Sequence, residues 1–452
     1  MTRRPVRRGR AALAVALLAP SLAAAVPAAA EPADGIVQTT QCVEDLRTLD
    51  PVSDGVSAAQ RSLGWTRVWD LSRGDGVTVA VLDTGVNRQP AFEDRLTGIG
   101  DVVGESEGTP GLADCDGHGT VVAGIIAGAP DTTSGWAGVA PDVRVLSYRA
   151  TTDAYARVGE DGERTAVGTP GSLAEAVDAA VREGADVVNV SAGYCGPYLS
   201  TTSPTLEAAV RRATAAGAVV VAAAANLGEG ACSTQNTSAS SPTTGVLPAM
   251  LDGVLAVGSL TDQGLPSDFS LAGPWVGVAA PGEGLVSVNP HPRGEGEVDA
   301  FVTSDGTIPI SGTSFSTAYV SGVVALVRAR FPRLTPEQVV SRVQQTANHP
   351  GGAGGRTLQV GYGEVDLRRA LTAVIPAEGA AGLPVEPSSA DAAQDADGPS
   401  SEATRPTALP APPVVADTTL SRTVALAGSG LLVLLLVGTV VGRAIRRRGH
   451  GS

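Results

Sequence analysis

Two hydrophobic patterns alternate through the middle of the chain. Short apolar, β-branched runs with no polar alternation occur at 77–82 (Val77-Thr78-Val79-Ala80-Val81-Leu82), 143–147, 186–190, 218–223 and 254–257. Such runs read as strands buried on both faces. Helical stretches at 118–128, 172–183, 204–216 and 314–330 are interspersed with them. The alternation predicts an α/β fold, with a mainly parallel β-sheet flanked by helices on both faces and right-handed crossovers. Chemistry in such sheets gathers beyond the carboxyl ends of the strands. That rule picks out Asp83 after one run and Asn226 after another.

The ends follow a different pattern. Arg3, Arg4, Arg7, Arg8 and Arg10 precede an apolar stretch at 11–18, and Ala28 and Ala30 form an A-x-A site before Glu31. Residues 1–30 therefore read as an export signal, with Pro20 and Pro27 arguing against a membrane span. Between Arg422 and Arg443 lie 20 uncharged residues centred on Leu431–Val437. At 1.5 Å per residue they span about 30 Å, the hydrocarbon thickness of a bilayer. Residues 423–442 are expected as a C-terminal transmembrane helix. Arg443, Arg446, Arg447 and Arg448 place the 443–452 tail in the cytoplasm by the positive-inside rule. Residues 376–422, rich in Pro, Ala, Ser and acids, read as an extended linker. This leaves 31–64 as an N-terminal extension and 65–375 as one large domain. The expected location is a single-pass cell-membrane protein whose domain is extracytoplasmic.

Charge sharpens this picture. All 32 basic residues are Arg, against 46 acidic residues, for a net charge of −14. Nine of those Arg lie in 1–10 and 443–448, so 31–441 carries 23 Arg against all 46 acids, a net of −23. A nucleic-acid partner is excluded, because phosphate binding needs a basic face. At 43% hydrophobic residues the chain has ample material for a core. Cys42, Cys115, Cys195 and Cys232 include no C-x-x-C pair, which argues against zinc. Two disulfides suit an exported protein, with three connectivities open. No metal or organic cofactor is expected. Acidic loops leave room for structural calcium, but none has an ordered ligand spacing.

Three segments carry candidate chemistry. Asp83-Thr84-Gly85 ends a strand, where backbone donors hold a carboxylate. Asp116-Gly117-His118-Gly119-Thr120 runs into an apolar helix, whose dipole disfavours an imidazolium unless a carboxylate opposes it. Gly312-Thr313-Ser314 opens a helix, where free amides and the dipole stabilise an oxyanion. Taken singly, each has a plain structural reading: turn former, helix cap, N-cap.

Asp-Thr-Gly, His-Gly-Thr and Gly-Thr-Ser in that order resemble the subtilisin-like serine proteases, over roughly 65–375. The resemblance implies a subtilisin-like α/β fold and an Asp83/His118/Ser314 triad that hydrolyses peptide bonds through an acyl-enzyme. It also makes Asn226 the oxyanion donor, although Ala225 stands where the family more often has Gly. Ser191, Ala192 and Gly193 become the substrate edge, to which an extended peptide would add as a strand. The P1 walls expected here, Ser191–Gly193 and Ala222–Ala225, carry no carboxylate, so no strongly basic P1 preference is expected.

Ala318, in place of the family's usual Pro, and the Ser-Phe-Ser-Thr-Ala-Tyr-Val-Ser-Gly sequence resemble the mycosins, membrane-anchored proteases of type VII secretion systems. So do the tether, the apolar C-terminal segment and the four Cys. This resemblance implies a wrapping N-terminal extension tied by Cys42–Cys115, with Cys195–Cys232 expected beside it, and 151–170 as a surface loop at the cleft and candidate cleavage site. Protein or peptide substrates and a type VII secretion membrane complex are the implied partners. The alternative is a structural component of that machinery, with proteolysis secondary. A lipase is disfavoured because Gly312-Thr313-Ser314-Phe315-Ser316 lacks the final Gly of a nucleophile elbow.

Overall fold

The computed structural model describes residues 35–384 apart from 44–45, 49–56, 105–108, 160, 293, 304–305 and 352–354. The expected export signal, the membrane helix, its tail and most of the linker lie outside these residues. Among the described residues, no helix is long and apolar enough to cross a membrane.

Seven strands form the central sheet: β1 (Thr78–Asp83), β2 (Leu96–Asp101), β3 (Arg144–Arg149), β4 (Val187–Val190), β5 (Val219–Ala223), β6 (Val254–Leu260) and β7 (Val276–Pro281). Their order is β7-β6-β5-β4-β1-β3-β2, and every neighbouring pair is parallel. The five apolar runs become the inner strands β1 and β3–β6. The outer two did not read as strands because Gly98 and Gly100 break up β2, while Gly277 and Pro281 break up β7.

Side-chain alternation along each strand divides the core. Val79, Val81, Val219 and Val221 pack on one face, under α1 (His118–Ala127), α4 (Thr313–Arg330) and α5 (Pro336–Thr346). Ala80, Leu82, Val220 and Ala222 pack on the other, under α2 (Pro170–Arg182) and α3 (Pro204–Ala215). Helix α2 starts two residues before its predicted position, because Thr169 and Ser172 form a capping box and Pro170 fits the first turn. Helix α4 is buried all round from Thr313 to Val327, so its sequence shows little amphipathic periodicity.

Two segments differ from expectation. Within 151–170, Thr152–Val158 and Arg164–Val167 pair as an antiparallel hairpin rather than a plain loop. The N-terminal extension supplies its third strand, as Ile36–Gln38 pairs antiparallel with Thr152–Val158. Second, the folded part runs past the boundary at 375. Pro376–Gly382 forms a 3-10 turn, and its Glu378 is buried in an ion pair with buried Arg342. Glu378 reads as a solvating linker charge until its partner is known.

Candidate active site

Asp83 closes β1, His118 opens α1 and Ser314 is the second residue of α4, so three elements converge beyond the carboxyl ends of the strands. Two glycines make the approach possible. A Cβ at Gly119 would run into the Gly85 carbonyl, and one at Gly85, which also sits at φ +100°, would run into the Ala113 carbonyl.

Asp83 is 1% exposed, and its Oδ1 lies 2.7 Å from His118 Nδ1. A carboxylate accepts, so Nδ1 carries the proton, and in the neutral imidazole Nε2 then keeps its lone pair. Thr84 N also donates to this oxygen at 2.8 Å. Asp83 Oδ2 is buried with no hydrogen-bond partner among the described residues, which leaves His118 as the main compensation for its charge.

A second carboxylate stands behind the pair. Asp114 Oδ1 accepts from Thr84 Oγ1 and Gly117 N, both at 2.8 Å, and its Oδ2 accepts from Thr120 N at 2.8 Å and Thr120 Oγ1 at 2.6 Å. Burial pushes the Asp114 carboxyl up to about 7, against the pull of those donors. For His118 burial works against the charged form, but the charge and hydrogen bond of Asp83 outweigh it. Asp114 and Asp116 add to this effect, and the pKa is raised to about 9. The Phe315 ring lies tilted against the imidazole, 4.9 Å between centroids.

Ser314 Oγ donates to the Ser191 carbonyl at 3.1 Å. Ser321 Oγ donates to Asn189 Oδ1 at 2.9 Å, and Asn189 Nδ2 to Ser191 Oγ at 2.9 Å, which fixes this edge relative to α4. Asn226 Oδ1 accepts from Thr313 N at 3.0 Å and Thr313 Oγ1 at 2.9 Å, so its amide nitrogen is turned outward. That nitrogen donates to Glu229 Oε1 at 3.1 Å. Ala225 holds φ +77°, the left-handed conformation that glycine adopts without strain.

Asp83, His118, Ser191, Ala192, Gly193, Asn226 and Ser314 all line one cleft of about 610 Å³. A smaller pocket of about 400 Å³ opens beside Ser314 between Ser191, Gly193, Ala223 and Ala225. It does not match the expectation of uncharged walls, because Asp153 from the hairpin and Glu229 from the loop after β5 also line it. Thr84, Thr313 and Phe315 lie within the quoted motifs but were given no role there, and Asp114, Asp153 and Glu229 were not singled out. Of these last three, only Asp114 had a local signal, as an acid four residues before His118. Cys42 is bonded to Cys115 and Cys195 to Cys232. Among the described residues no group of three or more His, Cys, Asp or Glu is placed to hold a metal ion.

A parallel α/β sheet with an Asp–His pair and a helix-initiating Ser in one cleft is the arrangement of a subtilisin-like serine endopeptidase. The profile of the Subtilase family, peptidase S8, matches residues 74–363, and the chain belongs to that family. Mycosins are among its relatives there. Mycosin-4 of Mycobacterium tuberculosis is 46% identical over 323 residues, which cover 70% of this chain and 69% of that protein. The crystal structure of MycP1 from the ESX-1 type VII secretion system matches with TM-score 0.69 and 40% identity, covering 76% of this chain and 93% of that one. A chain of the periplasmic assembly from the ESX-5 inner membrane complex matches with TM-score 0.68 and 32% identity, covering 85% of this chain and 96% of that one.

Proposed function

We propose that Ser314 is the nucleophile of a membrane-anchored endopeptidase acting on exported proteins at a type VII secretion complex. The observation that carries the catalytic reading is the 2.7 Å contact between His118 Nδ1 and buried Asp83, in the cleft that Ser314 also lines. The hydroxyl turns from the Ser191 carbonyl to His118 Nε2, gives up its proton there and attacks the scissile carbonyl. Asp83 holds the imidazole tautomer and stabilises the imidazolium. Asn226 Nδ2 and the Ser314 amide receive the oxyanion, and losing such a donor costs about 10²–10³ in rate. His118 then protonates the leaving amine, and water enters by the same route in reverse to release the acid. Residues 1–30 serve export, the chain between the folded 376–382 turn and residue 422 tethers the domain, 423–442 anchor it and 443–452 face the cytoplasm.

A second reading, a structural part of the secretion complex, is favoured by the similarity to a chain of the ESX-5 periplasmic assembly. Deletion of the protein and Ser314→Ala separate the two. Ser314→Ala should abolish cleavage of co-expressed secreted proteins, mapped by mass spectrometry, while the protein remains folded. Retained cleavage would refute the catalytic assignment. Secretion lost on deletion but kept in Ser314→Ala would put the structural role first.

A further inference from the structure

The pocket beside Ser314 has small walls, and the disulfide-bonded Cys195 and Cys232 line it. The ionisable side chains that line it are Asp153 and Glu229, both acidic. The backbone that carries each is held in place. Asp116 Oδ1 accepts from Asp153 N at 2.9 Å, which fixes this part of the hairpin beside the cleft. The 226–232 loop is closed by Gly228 N to Cys232 O and Cys232 N to Glu229 O, both at 2.9 Å, and is braced by the disulfide. The Glu229 carboxylate reaches back to Asn226 Nδ2, the donor assigned above to the oxyanion.

We infer that this pocket takes a cationic P1 side chain, Lys or Arg, and that Glu229 is its specificity-determining residue. The inference rests on the catalytic reading of Ser314. A small pocket whose charged groups, Asp153 and Glu229, are both exposed acids gains most from an ammonium or guanidinium, which supplies the missing countercharge. The same cation engages the Glu229 carboxylate and frees the Asn226 amide for the oxyanion. An uncharged P1 leaves that amide bound to Glu229. Selection therefore acts on kcat as well as on KM, because the freed donor matters only as the oxyanion forms.

The test uses full-length protein in detergent and peptides that differ only at P1: Arg, Lys, Leu, Ala and Glu. The Lys and Arg peptides should exceed Leu in kcat/KM by about tenfold or more, the scale of a well-formed pocket contact. Glu229→Gln should bring the ratio close to one, and Glu229→Lys should favour P1 Glu, with melting temperatures unchanged. Preference for Leu or Ala in the unaltered protein, or a profile insensitive to Glu229, would overturn the inference. Peptide binding to Ser314→Ala, read by fluorescence anisotropy, separates pocket from chemistry. A P1-Arg preference there that Glu229→Gln removes, with no cleavage by the unaltered protein, would sink the catalytic reading and leave the pocket assignment standing.

Discussion

His118 sits between opposing influences. Its place at a helix N-terminus and its burial disfavour the imidazolium, yet three carboxylates in and behind the cleft raise its pKa to about 9. A general base works only when neutral, so kcat/KM should rise with pH through a limb well above the ordinary histidine value of about 6.5. The stability that the charged pair adds has the opposite sign. It is complete below the unfolded-state pKa and fades as pH rises through about 9. Asp114 tests the electrostatics without touching the imidazole. Asp114→Asn removes one of the charges that hold the proton on His118, so the acid limb should move to lower pH, by up to about one unit. A limb that stays in place or moves up would contradict this account. Asp83, His118, Asn226 and Ser314 were legible because each lies in a short motif whose local structure is set by its neighbours. Glu229 and Asp153 were not, because only the closed 226–232 loop and the contact between Asp116 and the hairpin bring them to the pocket.

Among elements, the buried strands were legible because burial on both faces leaves continuous apolar runs. The edge strands β2 and β7 were obscured by their own glycines and proline. The hairpin at 152–167 is polar because it packs largely against the surface, with Ile36–Gln38 added along its edge. Its position follows from Asp116, whose carboxylate accepts from Thr152 Oγ1 at 2.6 Å and from Asp153 N and Ala154 N at 2.9 Å. The neighbouring Cys42–Cys115 bond joins this added sheet to the segment that carries His118. It spans a sequence separation of 73 residues, for which the chain-entropy account gives about 4 kcal/mol of stabilisation. Replacing Cys42 and Cys115 together by Ser should lower the denaturant midpoint and expose residues 35–43 to added protease. An unchanged midpoint would mean that strand pairing alone holds the extension.

Across the whole molecule, the net charge of −14 is unevenly spread, with nine Arg in the acid-free segments 1–10 and 443–448. The described domain carries the chemistry. Its seven-stranded parallel sheet brings the ends of β1, β4 and β5 together with the starts of α1 and α4 at one rim, so residues more than two hundred positions apart share one cleft. The central claim is that Ser314 is activated there by His118. A fluorophosphonate probe reads it directly. Intact-mass and peptide mapping of the full-length protein should find one adduct, on Ser314, with labelling reduced by about 10³-fold or more in His118→Ala. No adduct at Ser314, or labelling that does not depend on His118, would contradict the account.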